Sequence, residues 1–294
     1  MRDLNETNVT ESVLAQTRAS DPRLQEVLTG LVRHLHAFIR EIELTEEEWT
    51  AAIRFLTAVG QISDDKRQEF ILLSDVLGAS ILVDAINHRR TAGGTLSTVT
   101  GPFWVAGAPE LAAGQSIARG AEAATGETTV VHGRVIDEQG RPVTGAVLDV
   151  WQASPAGKYD VQDPDQPDMN LRGIFRSDEN GEFWFKTVKP AAYPIPDDGP
   201  VGDLLKATGR QSMRPAHIHF MVGAPGHQAL TTHIFVEGDP YLECDPVFGV
   251  KDSLVVAFRA SESESDAARF GVRVPFIDVG FDIVLESETS TSPS

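Results

Sequence analysis

The chain has 294 residues, long enough for one large or two moderate domains with a real core. Hydrophobic residues make up 41% and charged residues 23%, an ordinary globular balance, and no apolar run approaches the length of a membrane span. Lys and Arg number 25 against 43 Asp and Glu, a net charge of −18 that repels phosphate backbones and anionic lipid and argues against nucleic acid and membrane surfaces as partners. The single cysteine, Cys244, excludes an intrachain disulfide and all but excludes a thiolate metal site. The N-terminus lacks a basic region followed by an apolar block, so the expected compartment is the cytosol.

From Asp21 to His88 the hydrophobic period is helical. Asp21 and Pro22 read as an N-cap and a first-turn proline. Leu24, Val27, Leu28, Leu31, Val32, Leu35, Phe38 and Ile39 then form one broad apolar stripe. Thr45 and Glu48 read as a capping box opening a second helix, which Gly60 suits as an end. Two further helical stretches cover Lys66–Val76 and Ala79–His88. His34 and His36 read as ordinary helix residues, because their neighbours offer no ligand set.

After about Gly101 the period becomes two. VVHGRVIDEQGRPVTGAVLDVWQ reads as two strands about a turn with Gly140 and Pro142, and Asn180-Gly181 as a hairpin signal. AHIHFMVGA, LTTHIFVEG, DSLVVAFRA and FDIVLES supply further strands. The expected fold is mainly β: a β-sandwich over residues 101–287, preceded by an α-helical domain over 1–100 and followed by a disordered tail over 288–294. Two stretches, Tyr159–Phe175 and Pro190–Arg210, read as long loops, and loops of that length in a compact domain are usually functional.

RPAHIHFMV places two histidines one residue apart on a strand, so His217 and His219 project from one face and Ile218 and Phe220 from the other. Such a pair can present two imidazole nitrogens to one metal ion, or be two satisfied core histidines. The chain has only three tyrosines, and two of them, Tyr159 and Tyr193, sit just past strands in the long loops. From there they could converge with the histidines at one edge of the sandwich. A tyrosine in such a place can equally well anchor its loop through its hydroxyl.

LDVWQASPAGKYD, KPAAYPIP and RPAHIHF, in that order, resemble the intradiol ring-cleavage dioxygenases. The resemblance runs roughly from Arg67 to Val284 and includes GPFWVAGAP and GDPYLECDPVFGVKDSLVV. It implies one non-haem Fe(III) bound by Tyr159, Tyr193, His217 and His219. Phenolates are hard anionic donors that favour a trivalent ion, and two of them with a hydroxide would balance its charge. The ion must in turn lower both tyrosine pKa values far below about 10. The resemblance further implies that an aromatic diol and O2 are the substrates. Tyr193 would be the ligand that gives way to the diol and takes a proton from it, and Arg214 would stabilise negative charge on the ring; otherwise Arg214 forms a structural salt bridge.

THIF, VFGVKDSL and QEFILLSDVLG resemble the hydroxyquinol-cleaving branch, whose product is maleylacetate. This sequence has His233 where many catechol-cleaving relatives have glutamine, which would put a titrating group near the iron. Leu72, Asp75, Val99, Gly101, Pro102, Ile195, Pro196 and Val247 match positions that line the substrate pocket. A third ring hydroxyl would give Asp75 a hydrogen-bond partner that catechol lacks. Otherwise Asp75 is a surface residue of a helix. The family also implies a homodimer through the N-terminal helices, where lipid can lie. The alternatives are a catechol or chlorocatechol 1,2-dioxygenase giving cis,cis-muconates, and a non-catalytic transthyretin-like sandwich module. His132 and His227 lie away from these motifs and are assigned no role.

Overall fold

The computed structural model describes residues 3–64, 67–89 and 93–288. The chain divides into two compact units, residues 1–61 and 62–294. The first holds helices α1 (Val9–Gln16) and α2 (Pro22–Glu41) and nearly all of α3 (Glu46–Ile62). α1 is not legible as a separate helix in the apolar pattern. The Asp21 carboxylate accepts the Leu24 N–H at 2.8 Å, and Thr45 and Glu48 exchange the two hydrogen bonds of a capping box. Gly60 does not end α3, which runs two residues further. The apolar stripe of α2 stays half-exposed, with Leu24, Val27, Leu31, Leu35 and Phe38 each about half accessible, and Trp49, Ile53 and Leu56 of α3 are similar. His36 bonds Thr10 at 3.0 Å.

The larger unit contains α4 (Glu69–Val76), α5 (Ala79–Asn87), α6 (Gly120–Thr125), α7 (Pro200–Ala207) and α8 (Glu264–Phe270). Its strands are β1 (Thr128–Asp137), β2 (Val147–Gln152), β3 (Arg172–Arg176), β4 (Glu182–Val188), β5 (Tyr193–Pro194) and β6 (Met213–Arg214). They continue with β7 (His217–Gly223), β8 (Leu230–Val236), β9 (Val255–Val256), β10 (Arg259–Ser261), β11 (Phe276–Gly280) and β12 (Ile283–Leu285). Although the helical period extends to His88, α4 and α5 belong to the larger unit together with the strands. The buried Glu69 carboxylate accepts the Val201 N–H at the start of α7, and Arg210 donates to the Val76 carbonyl at the end of α4. Lys66, the expected start of α4, lies outside the described residues.

Two sheets face each other. In one, β4 runs antiparallel along β1, β11 and β12 run parallel along its other edge, and β10 flanks β11. The other has the order β3-β2-β7-β8-β9. Alternation fills the space between them: Val131, Val135, Phe183, Phe185, Val279 and Ile283 meet Leu148, Val150, Phe175, Ile218, Phe220, Val222 and Ile234. Asn180-Gly181 does form a tight turn, but not a hairpin. β3 and β4 on its two sides belong to different sheets, so the turn crosses the sandwich. The two expected long loops also carry structure, since Arg172–Arg176 pairs as an edge strand and Pro200–Ala207 is helical. Of the expected tail, residues 289–294 lie outside the described residues, while Glu288 donates its N–H to the Gly226 carbonyl. Among the described residues no helix is long and apolar enough to cross a membrane.

Candidate metal centre

On β7 the even positions Ile218, Phe220 and Val222 enter the core. His217 and His219 therefore emerge on the outer face of the sheet, under the connecting loops rather than at an edge of the sandwich. Trp151 of β2, His219 of β7 and His233 of β8 lie in register across three strands. The Trp151 ring stacks on His219 with centroids 4.6 Å apart, and the His233 ring stands nearly perpendicular to His219 at 4.0 Å.

Two loops bring the tyrosines over this row. After β2 the chain turns tightly, with Ser154 and Lys158 hydrogen-bonded through their backbones, and Tyr159 swings back over the sheet. Gly157 in that turn has φ +75°, and a Cβ there would meet the Tyr193 Cβ at 3.1 Å, so glycine serves both the turn and the close approach of the loops. Tyr193 is fixed by the β5–β6 ladder, opposite Arg214.

The four donor atoms converge. Tyr159 Oη lies 3.2 Å from Tyr193 Oη and 3.0 Å from His219 Nε2. His217 Nε2 lies 3.1 Å from His219 Nε2 and 3.4 Å from Tyr193 Oη. Four nitrogen and oxygen donors each about 2 Å from one ion stand about 3 Å from their neighbours, which is this spacing. The Nδ1 of His217 lies 2.6 Å from the Pro215 carbonyl. A carbonyl only accepts, so Nδ1 carries the proton and the Nε2 lone pair faces the cluster. All four side chains are buried. The residues present fit a metal ion.

Burial sets the protonation states. It lowers the His217 pKa to about 3, with the Arg214 charge adding to the effect, and holds His219 and His233 well below the ordinary imidazole value. The imidazoles are therefore neutral near pH 7. His233 is then not the titrating group expected from the sequence. Both its ring nitrogens and Nδ1 of His219 are buried without a hydrogen-bond partner, and a ligand nitrogen of His233 falls within 4.8 Å of those of His217 and His219. Burial pushes Tyr159 well above its ordinary value, and Tyr193 also upward against the pull of Arg214.

Strand alternation alone would aim Arg214 away from His217. The ladder of β6 ends at Arg214 and β7 begins at His217, so Pro215 and Ala216 reset the parity. The Arg214 guanidinium is buried, with Nη1 3.3 Å from His217 Nε2 and its other edge paired to Asp245 at 3.1 and 3.3 Å. Asp245 was not singled out from the sequence, because its partner Arg214 lies thirty-one residues away.

One pocket beside the donors is lined by Leu72, Asp75, Val99, Gly101, Pro102, Ile195 and Val247 together with Phe103, Tyr193 and Arg214. Pro196 lies instead in an adjoining cavity of about 730 Å³ that shares Leu72, Pro102, Phe103 and Ile195. Phe103, inside the GPFWVAGAP segment but not singled out from the sequence, stacks on Tyr159 at 4.7 Å. Asp75 is buried rather than on a surface, and burial raises its pKa while a hydrogen bond to Ser80 and the Arg214 charge oppose the rise. His132 of β1 pairs with Asp278 of the neighbouring β11, in the sheet that does not carry these donors, and His227 is partly exposed.

The chain matches known proteins over most of its length. Residues 21–95 match the family model described as Catechol dioxygenase N terminus, and residues 99–287 the one described as Dioxygenase. The chain is 53% identical over 263 residues to a hydroxyquinol 1,2-dioxygenase of Rhizobium sp., covering 89% of this chain and 88% of that one. It is 52% identical over 256 residues to a 6-chlorohydroxyquinol 1,2-dioxygenase of Cupriavidus pinatubonensis, covering 87% and 92%. A solved hydroxyquinol 1,2-dioxygenase from Pseudomonas putida superimposes with a TM-score of 0.90 at 48% identity, over 96% of this chain and 99% of that one. With both segments matched and identity near one half over most of its length, this chain belongs to the intradiol ring-cleavage dioxygenase family.

Proposed function

We propose that the chain opens the ring of hydroxyquinol (benzene-1,2,4-triol) with O2 between its two adjacent hydroxylated carbons, placing both oxygen atoms in the product, maleylacetate. The observation that carries this reading is the buried ring of four donors beside a pocket that includes Asp75. Tyr159, Tyr193, His217 and His219 would hold one Fe(III), the ion that two phenolates and two imidazoles suit. When bound, the ion makes the deprotonated diol reactive toward O2.

The two tyrosines have different surroundings. Tyr193 lines the pocket and Tyr159 does not, which supports Tyr193, in the phenolate form it takes when the ion is bound, as the base that would accept a proton from an entering diol. Arg214 also lines the pocket and supplies a fixed positive charge where the ring becomes electron-rich. His233 does not line the pocket, so this neutral imidazole acts from behind His219. Asp75 is the partner for the third ring hydroxyl. A catechol 1,2-dioxygenase would use the same donors, but catechol leaves Asp75 without that partner. A non-catalytic module has no use for four converging buried donors.

The exposed apolar stripe on α2 and α3 supports a homodimer through the N-terminal helices, and the same stripe suits a lipid chain. Oxygen uptake by the iron-loaded protein tests the function: one O2 consumed per hydroxyquinol, maleylacetate as product, and much slower turnover of catechol. Faster turnover of catechol, or turnover of neither, would overturn it.

A further inference from the structure

We infer that Asp245 is a positioning residue of the site. Its carboxylate holds the Arg214 guanidinium in its working orientation and, in the same turn, sets the pocket wall at Val247. The inference rests on the reading above, in which Arg214 acts on the substrate.

The carboxylate is buried and fully used. Oδ1 accepts from Arg214 Nε at 3.1 Å and from the Val247 N–H at 3.4 Å. Oδ2 accepts from Arg214 Nη2 at 3.3 Å and from the Gly249 N–H at 2.9 Å. A guanidinium gripped along one edge by two oxygens loses its freedom to rotate, and Nη1 is left directed at His217. The charge balance needs the same partner, since a buried guanidinium without a carboxylate is strongly disfavoured.

Gly249 shows how closely the turn is fitted to the pair. A Cβ there would lie 3.1 Å from Arg214 Nη2, 3.2 Å from Asp245 Oδ2 and 3.1 Å from Thr98 Oγ1. Asp245 itself does not line the pocket, whereas Arg214 and Val247 do. Its effect on the reaction therefore passes through those two residues.

The test is a double-mutant cycle on the full-length, iron-loaded protein, with single-turnover rates on hydroxyquinol so that slow variants remain measurable. Asp245→Asn should slow turnover about tenfold to a hundredfold. Iron content should be unchanged, because Asp245 hydrogen-bonds to none of the four donors. In an Arg214→Ala background the same substitution should change the rate less than about twofold, since there is no guanidinium left to position. Gly249→Ala serves as a second variant if Asp245→Asn does not fold. It displaces the pair without removing a charge, and should likewise be silent once Arg214 is gone. Losses that multiply in the double variants, or single variants as fast as the wild type, would overturn the inference while the functional reading stands. A wild-type protein inactive on every diol would instead overturn the functional reading, and this inference with it.

Discussion

Tyr159 Oη and His219 Nε2 lie 3.0 Å apart although sixty residues separate them in the chain. One comes from the turn after β2 and the other from the middle of β7, and strand pairing of Trp151 with His219 brings the two segments together. Substituting either residue removes one of four donors and leaves the fold's core face untouched. Tyr159→Phe and His219→Ala should therefore each lower bound iron at least tenfold, measured by metal analysis after dialysis, with little change in far-UV circular dichroism.

Metal loading should release protons from the chain. Burial raises both phenols in the metal-free protein, so they are protonated near neutral pH and must ionise on binding, whereas the histidines are already neutral. Affinity for Fe(III) should then rise with pH through the neutral range, and imidazole protonation should not limit loading until the pH approaches 3, the value for His217. Titration in weak buffer checks this by difference: Tyr193→Phe should release about one proton fewer per ion than the wild type.

Acid should destabilise the metal-free protein early. His217, His219 and His233 have pKa values depressed in the folded state, so below about pH 6.5 the unfolded chain takes up protons that the folded chain refuses. The stability these groups contribute is fully present above that pH and is lost as the pH falls, by about 1.4 kcal/mol per pH unit for each histidine. Denaturant unfolding between pH 4 and 7 should show this slope, and His233→Gln should reduce it by about one third.

Asp75 should control which diol is preferred. Removing its carboxylate in Asp75→Ala should lower kcat/KM for hydroxyquinol about tenfold to a hundredfold, the worth of one hydrogen bond to a strongly polar group, and leave catechol within about threefold. Equal losses on both substrates would show that Asp75 shapes the pocket rather than recognising the third hydroxyl.

The sequence carried the local parts of this site well. The period-two alternation of β7 correctly separated His217 and His219 from Ile218 and Phe220, and the caps at Asp21 and Thr45 followed from side-chain chemistry acting within one helical turn. What depended on tertiary placement was harder to see. Asn180-Gly181 announced a turn, but not that its strands would join opposite sheets. Strand parity sets Arg214 opposite to His217 unless Pro215 bends the chain, and only the folded ladder, which breaks at Pro215, decides between the two. The buried Asp245 carboxylate pairs with Arg214 from thirty-one residues away, a pairing that no local pattern encodes.

The most direct test of the central claim is the visible absorption spectrum of the iron-loaded protein before and after anaerobic addition of hydroxyquinol. Tyrosinate bound to Fe(III) absorbs in the visible, so the iron-loaded protein should be red, with a band that shifts when the diol enters. The colour should be weakened in Tyr193→Phe and lost in the double variant Tyr159→Phe/Tyr193→Phe. A protein that binds iron yet stays colourless, or whose colour survives loss of both tyrosines, would contradict the proposed ligand set.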